Sequence, residues 1–107
     1  MNQPSNATQQ DDIPTLDPNE RAALERLIAV ALNGTGQSYH VANLLLAWWD
    51  ANENGGFDPM SFRHLDSALI EDSLRLLVFI ALNNCYPDAL GYGDEFRAIW
   101  KMWRSKE

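Results

Sequence analysis

One stretch of the chain spaces oxygen-bearing side chains as a calcium site would require. An aspartate is followed at alternate positions by two asparagines, and a second aspartate comes after a pair of glycines. Calcium prefers about six to eight oxygen ligands, which carboxylates, side-chain amides and backbone carbonyls supply. The candidate ligands are Asp50, Asn52, Asn54, Gly56 through its carbonyl, and Asp58. The spacing therefore allows a weak calcium site, with calcium as the only candidate cofactor.

This stretch resembles the calcium loop of the EF-hand family. In that alignment Gly55 stands where the sharp turn requires glycine, and a predicted helix lies on each side. Ser61, however, replaces the bidentate glutamate that ends the family's loop, and the sequence holds no second loop of this kind. Asparagine and glycine are also common in turns, and Asp58 before Pro59 is a typical helix cap. We therefore expect weak binding or none, and a calcium-responsive module using Asp50–Ser61 is an alternative function.

The other reactive residue types form no known catalytic pattern. His40 and His64 lie far apart in the sequence, and no neighbouring residue marks Cys85 as a nucleophile. The sequence also lacks a Walker loop, a dinucleotide-binding fingerprint and a nucleophile elbow. We therefore expect no enzymatic activity and no catalytic residues. A small enzyme with an unrecognised site is a further alternative.

Tryptophan is unusually frequent, with four in 107 residues. Trp48 and Trp49 are adjacent, so on a helix they project about 100° apart and only one can face a given core. Trp100, Trp103 and Arg104 lie together on the last predicted helix. Tryptophan and arginine are frequent anchors of protein interfaces, although large rings also fill the core of small domains. The candidate interface is therefore Trp49, Trp100, Trp103 and Arg104, with core packing left open as the alternative.

The charge balance limits the kinds of partner. Fifteen acidic residues against eight lysines and arginines give a formal charge of −7. Such a surface does not suit direct nucleic-acid binding or a polybasic membrane anchor, and it favours a basic protein partner. A homodimer is also possible. Cys85 is the only cysteine, there is no apolar run of about 20 residues, and the first residues have no basic or apolar segment. These features lead us to expect a cytoplasmic protein.

Apolar spacing predicts an all-α fold, a compact bundle of four main helices and one short helix. Polar residues 1–16 are predicted to form a disordered tail and residues 17–107 a single helical domain. Each helix start is marked by a residue that can accept free backbone N–H groups. These predicted caps are Asp17, Ser38, Asp58, Asp66 and Asp94.

Two helix ends and one burial pattern also follow from the sequence. Gly34 is predicted to end the first helix, and Tyr86–Pro87 to end the third, because glycine adopts left-handed conformations and the residue before proline disfavours the helix. Every side chain from Leu76 to Leu82 is apolar. The third helix is therefore predicted to be central and buried on most sides.

Two longer blocks carry a family resemblance. ANLLLAWWDANENGGFD and YPDALGYGDEFRAIWKMW resemble a family of small bacterial proteins encoded by integrative and conjugative elements and genomic islands of proteobacteria. The shared blocks are aromatic and glycine-rich structural segments, so the resemblance implies a context and no reaction. The sequence as a whole favours a non-catalytic protein-interaction module, an accessory protein of such an element, that acts through an aromatic helical face.

Overall fold

The computed structural model describes residues 14–105, and within this range the chain forms helices and no β-strand. The four long helices are α1 (Pro18–Asn33), α2 (Ser38–Asn54), α3 (Ser67–Leu82) and α4 (Gly93–Trp103). A short 3-10 helix, Pro59–His64, joins α2 to α3, and a second, Pro87–Leu90, precedes α4. The predicted all-α bundle of four helices and a short one is confirmed. The second 3-10 helix is an addition that the sequence did not indicate.

Local sequence sets most helix ends. The Asp17 carboxylate accepts the Glu20 N–H at 2.7 Å, while the Glu20 carboxylate accepts the Asp17 N–H at 2.9 Å, which forms a capping box. Asp58 and Asp66 cap the first 3-10 helix and α3, each through a carboxylate that accepts one backbone N–H at 2.9 Å. Gly34 ends α1 with φ 76°, a left-handed conformation that favours glycine. These four predicted signals are confirmed.

Two predicted caps are wrong. Ser38 is the first residue of α2 and is fully buried, and its hydroxyl donates to the Val30 carbonyl of α1 at 2.5 Å. Its side chain therefore joins α2 to α1 and does not cap the N–H groups in the first turn of α2. Asp94 lies inside the first turn of α4, where its carboxylate pairs with Arg97. No side-chain cap precedes α4.

The predicted end of α3 is also wrong, because the helix stops at Leu82, before Tyr86–Pro87. Asn83 follows in an extended conformation, and its side-chain amide donates to the Phe79 carbonyl at 2.9 Å. That bond satisfies a carbonyl of the last turn, which would otherwise lack an intrahelical partner. The side chain of Asn83 thus ends the helix before proline can do so.

The central helix of the bundle is α1, which packs against each of the other three long helices. It does so with a stripe of small and branched residues that are fully or almost fully buried: Ala23, Leu24, Leu27, Ile28 and Ala31. By contrast, α3 packs mainly on α1 and leaves its far side uncovered. Leu74, Val78 and Leu82 are 49%, 58% and 77% exposed. The prediction that α3 is central is therefore wrong, because neighbouring helices cover one side of it only.

Buried polar contacts tie the outer elements to α1. Arg26 donates two hydrogen bonds, of 2.7 and 2.8 Å, to the carboxylate of Asp72, which is buried on α3. The buried Tyr92 hydroxyl, just before α4, donates to Glu25 at 2.7 Å and accepts from Arg21 at 2.8 Å. Burial and the hydrogen bond to Glu25 raise the pKa of Tyr92 above its ordinary value. These networks fix the rotation of α3 and α4 about α1.

The buried core of the described residues begins at Leu16, which is 4% exposed and belongs to the core cluster. The predicted tail falls largely on residues 1–13, which lie outside the described residues. Between residues 14 and 105, no helix is long and apolar enough to cross a membrane.

Candidate functional site

Trp48 and Trp49 project from α2 onto α4. Both rings meet Phe96 edge-on, with centroid separations of 5.7 and 6.0 Å. The buried Trp48 indole donates to the Cys85 carbonyl at 3.0 Å, and the half-buried Trp49 indole donates to the Asp88 carboxylate at 2.6 Å. Although the two residues project about 100° apart on α2, both rings therefore contact the same neighbouring helix of this chain.

Trp103 and Arg104, two of the four predicted interface residues, also make contacts within the bundle. Trp103 is half-buried and its indole donates to the Ala31 carbonyl at 2.7 Å. Arg104 donates to the Asn54 carbonyl at 3.1 Å and to the side-chain oxygen of Asn43 at 2.6 Å. These bonds fasten the end of α4 to α1 and α2. These hydrogen bonds account for the positions of Trp103 and Arg104 without an external partner.

The other two predicted residues line one groove. Trp100 and Trp49 enclose, together with Asp50, Glu53 and Asn54, a volume of about 390 Å³ between α2 and α4. Trp100 is 41% exposed, and Asp50 and Glu53 are exposed as well. Among residues 14–105, neither of these carboxylates forms an ion pair. We call these five residues the acidic tryptophan groove.

A kink in α2 shapes this groove. Asp50 has φ −165° and ψ 91°, which interrupts the helix, and helical conformation resumes through Asn54. The Asp50 carboxylate accepts the Glu53 N–H at 3.2 Å, so it caps the resumed turn. The buried Asn54 amide donates to the Leu46 carbonyl at 3.1 Å and holds that turn against the helix. The kink thereby sets the positions of both carboxylates beside Trp100.

The candidate calcium ligands are arranged differently from an EF-hand loop. Asp50, Asn52 and Asn54 lie within α2, where the resemblance implies an open loop. The Asn54 side chain is buried on the Leu46 carbonyl, and the Asp58 carboxylate caps the following 3-10 helix. Across residues 14–105, no three acidic, histidine or cysteine side chains stand close enough to hold a metal ion.

Other titratable groups are brought together in ways that sequence spacing did not reveal. The rings of His40 and His64 stack with centroids 4.4 Å apart and planes 7° from parallel. Burial, and then the neighbouring His64, lower the pKa of His40, and its Nδ1 is buried without a hydrogen bond. Burial raises the pKa of the Cys85 thiol, which lowers the fraction of reactive thiolate. Sequence separation hid the histidine pair, because the contact depends on how the first 3-10 helix packs on α2.

Comparison with known proteins yields one family. The model of DUF7673, a family of unknown function, matches residues 21–104. No curated protein and no solved structure matches the chain. The matched range runs from the first turn of α1 to the residue after α4, so it includes every element that forms the acidic tryptophan groove.

Proposed function

The chain belongs to the DUF7673 family, and we propose that it is a non-catalytic protein-interaction module whose acidic tryptophan groove binds a basic segment of a partner protein. One observation carries the proposal: the exposed Trp100 ring lies beside two carboxylates that have no cation of their own. The proposal keeps Trp49 and Trp100 from the predicted aromatic interface. It leaves out Trp103 and Arg104, because neither of them lines the groove.

The groove has the chemistry of a cation site. A lysine or arginine side chain gains from a tryptophan face about 0.5–1 kcal/mol at an exposed site and more when water is excluded. Asp50 and Glu53 add electrostatic attraction, and a charged hydrogen bond to either one would fix the orientation of the cation. The net charge of −7 draws basic partners toward the surface before contact. A volume of about 390 Å³ suits individual side chains of an extended segment.

The context of this interaction is part of the proposal. We propose action in the bacterial cytoplasm, because a chain with one cysteine suits a reducing compartment. The resemblance to accessory proteins of integrative and conjugative elements supports a partner encoded by such an element or by its host. A basic protein that itself handles nucleic acid fits the charge of the groove.

Calorimetric titration of the full chain with a short Arg-Gly-Ser repeat peptide tests the proposal. Glu53→Gln and Trp100→Ala should each weaken binding, because one removes a carboxylate and the other removes the aromatic wall. Glu95→Gln is the matched control, since it removes the same charge from an exposed position on α4 outside the groove. Equal loss of affinity in Glu53→Gln and Glu95→Gln would mean that only net charge attracts the peptide, and would refute the groove as the binding site.

A further inference from the structure

The far side of α3 carries a continuous apolar ridge. Leu74, Val78 and Leu82 follow one another at four-residue intervals and are each about half exposed or more, at 49%, 58% and 77%. Single exposed apolar residues are ordinary on protein surfaces, whereas a contiguous apolar patch is often functional. We call these three residues the α3 ridge. None of them lines the acidic tryptophan groove, so the ridge requires a separate explanation.

We infer that the α3 ridge is the contact between two copies of this chain, packed antiparallel about a two-fold axis at Val78. In that arrangement Val78 meets Val78 of the second copy, and Leu74 meets Leu82. Ridges formed by residues four apart pack into one another at about −50°, the commonest crossing in globular proteins. A two-fold contact uses the same patch twice, which a symmetric apolar row satisfies.

The charges on α3 suit the antiparallel arrangement. Arg75 is exposed and flanks the ridge, and the pairing brings it opposite Ala81 in the last turn of the second copy's α3. The last turn of α3 carries no basic residue, and its carbonyl groups give it a partial negative charge. Arg75 of the second copy therefore stabilises this helix end, and the exposed Glu71, which lines the same surface, offsets part of that gain. A parallel pairing would instead place Arg75 against Arg75.

The surface beside the ridge adds a concave part to the contact. A groove of about 640 Å³ runs between α2 and the end of α3, and Ile80, Leu82 and Tyr86 are among the residues that line it. Antiparallel pairing brings Leu74 of the second copy to Leu82, at the edge of this groove. The ridge itself covers about 12 Å of helix axis, so the contact falls below about 1,200 Å² in total. We therefore expect a weak dimer that forms at micromolar concentrations or above.

The response to salt separates this dimer from binding at the groove. Each copy carries a formal charge of −7, so two copies repel each other, and added salt should strengthen the dimer by screening that repulsion. A complex with a basic segment should instead weaken as salt is added. Failure of the dimer and failure of the proposed function therefore give different results.

Sedimentation equilibrium of the full chain over a range of concentrations tests the dimer. Val78→Glu should abolish self-association, and Leu82→Glu should do the same. Met60→Glu is the matched control, because Met60 is also 58% exposed and lies away from α3. Circular dichroism checks that each variant is folded. A wild-type chain that stays monomeric to about millimolar concentration, or a dimer that survives both α3 substitutions, overturns the inference.

Cysteine cross-linking tests the antiparallel register. In a Cys85→Ser background, Val78→Cys should form an intermolecular disulfide under mild oxidation, because the two cysteines meet at the two-fold axis. Leu74→Cys should not, since its two copies would lie about 12 Å apart along the helix, beyond the reach of a disulfide. Equal cross-linking at both positions would indicate parallel packing and contradict the proposed arrangement.

Discussion

Replacing leucine by alanine should have very different effects on the stability of the fold at α1 and at the far side of α3, because the first position is buried and the second is exposed. Leu27 of α1 is 0% exposed, whereas Leu82 of α3 is 77% exposed. Leu27 lies in the middle of α1 and Leu82 is the last residue of α3, but leucine and alanine are both strong helix formers, so the change in helix propensity is small at either position. The difference between Leu27→Ala and Leu82→Ala therefore reports the burial of each side chain.

The magnitudes follow from the exposed fractions. Removing a fully buried leucine side chain costs about 3–5 kcal/mol, because a cavity adds to the lost transfer free energy. Leu82 has only about a quarter of its surface buried, and full burial of leucine is worth about 1.5–3 kcal/mol. Leu82→Ala should therefore lower the free energy of unfolding by less than about 1 kcal/mol, and it should leave no cavity.

Urea unfolding followed by circular dichroism measures both effects. The experiment is run at low protein concentration, so that loss of the proposed dimer does not contribute to the Leu82→Ala value. If the free energy of unfolding falls with urea concentration at the same slope in both variants as in the wild type, only stability has changed. Equal destabilisation by the two substitutions would show that α3 is buried on its far side, and it would refute the arrangement of helices around α1.

Three further results follow from polar contacts. Arg26→Ala should lower the free energy of unfolding in urea, because it strands the buried Asp72 carboxylate, although the exposure of Arg26 screens part of the interaction. Burial and His64 lower the pKa of His40 in the folded state, so the unfolded chain binds more protons. The melting temperature should therefore be highest at pH values above 6.5, the ordinary pKa of histidine, and should fall as the pH drops through that value. The melting temperature of His40→Phe should fall less over the same range. Asp58→Ala should cost about 0.5–2 kcal/mol equally with and without calcium, and calcium-dependent stability would favour the calcium-responsive alternative.

Signals that depend on a few neighbouring residues predicted the structure well. The Asp17 and Glu20 pair and Asp66 mark helix starts through hydrogen bonds within one turn, and Gly34 marks a helix end through its left-handed conformation. Ser38 failed as a cap because its hydroxyl bonds across to the Val30 carbonyl, and that contact exists only after α1 and α2 have packed. Helix ends could therefore be predicted where the cap residue bonds within its own turn, and could not where its side chain bonds to another helix.

Burial on α3 could not be predicted from apolarity alone. The run from Leu76 to Leu82 shows that the helix can be buried on every side, but not that the chain supplies elements to cover every side. The bundle places α1, with its smaller apolar residues, at the centre. The uncovered ridge is therefore information that only the packed structure provides.

The candidate site was predicted in part. Its aromatic residues were singled out by their number, and Trp49 and Trp100 do line the acidic tryptophan groove. Asp50 was assigned to a calcium loop, because the kink that turns it toward Trp100 is not visible in the spacing of Asp50, Asn52 and Asn54. The groove depends on that kink and on the docking of α4, both of which arise from tertiary packing.

The four indole N–H groups allow the most direct test of the central claim, that the acidic tryptophan groove binds a basic segment. Each indole has a different environment, so a nitrogen–proton correlation spectrum of the full chain, titrated with an Arg-Gly-Ser repeat peptide, reports on all four. The signals of Trp49 and Trp100, whose side chains line the groove, should shift on binding, while those of Trp48 and Trp103, which do not line it, should stay in place. A peptide that shifts Trp48 or Trp103 and leaves Trp100 unchanged, or that shifts none of the four, would contradict the proposed function.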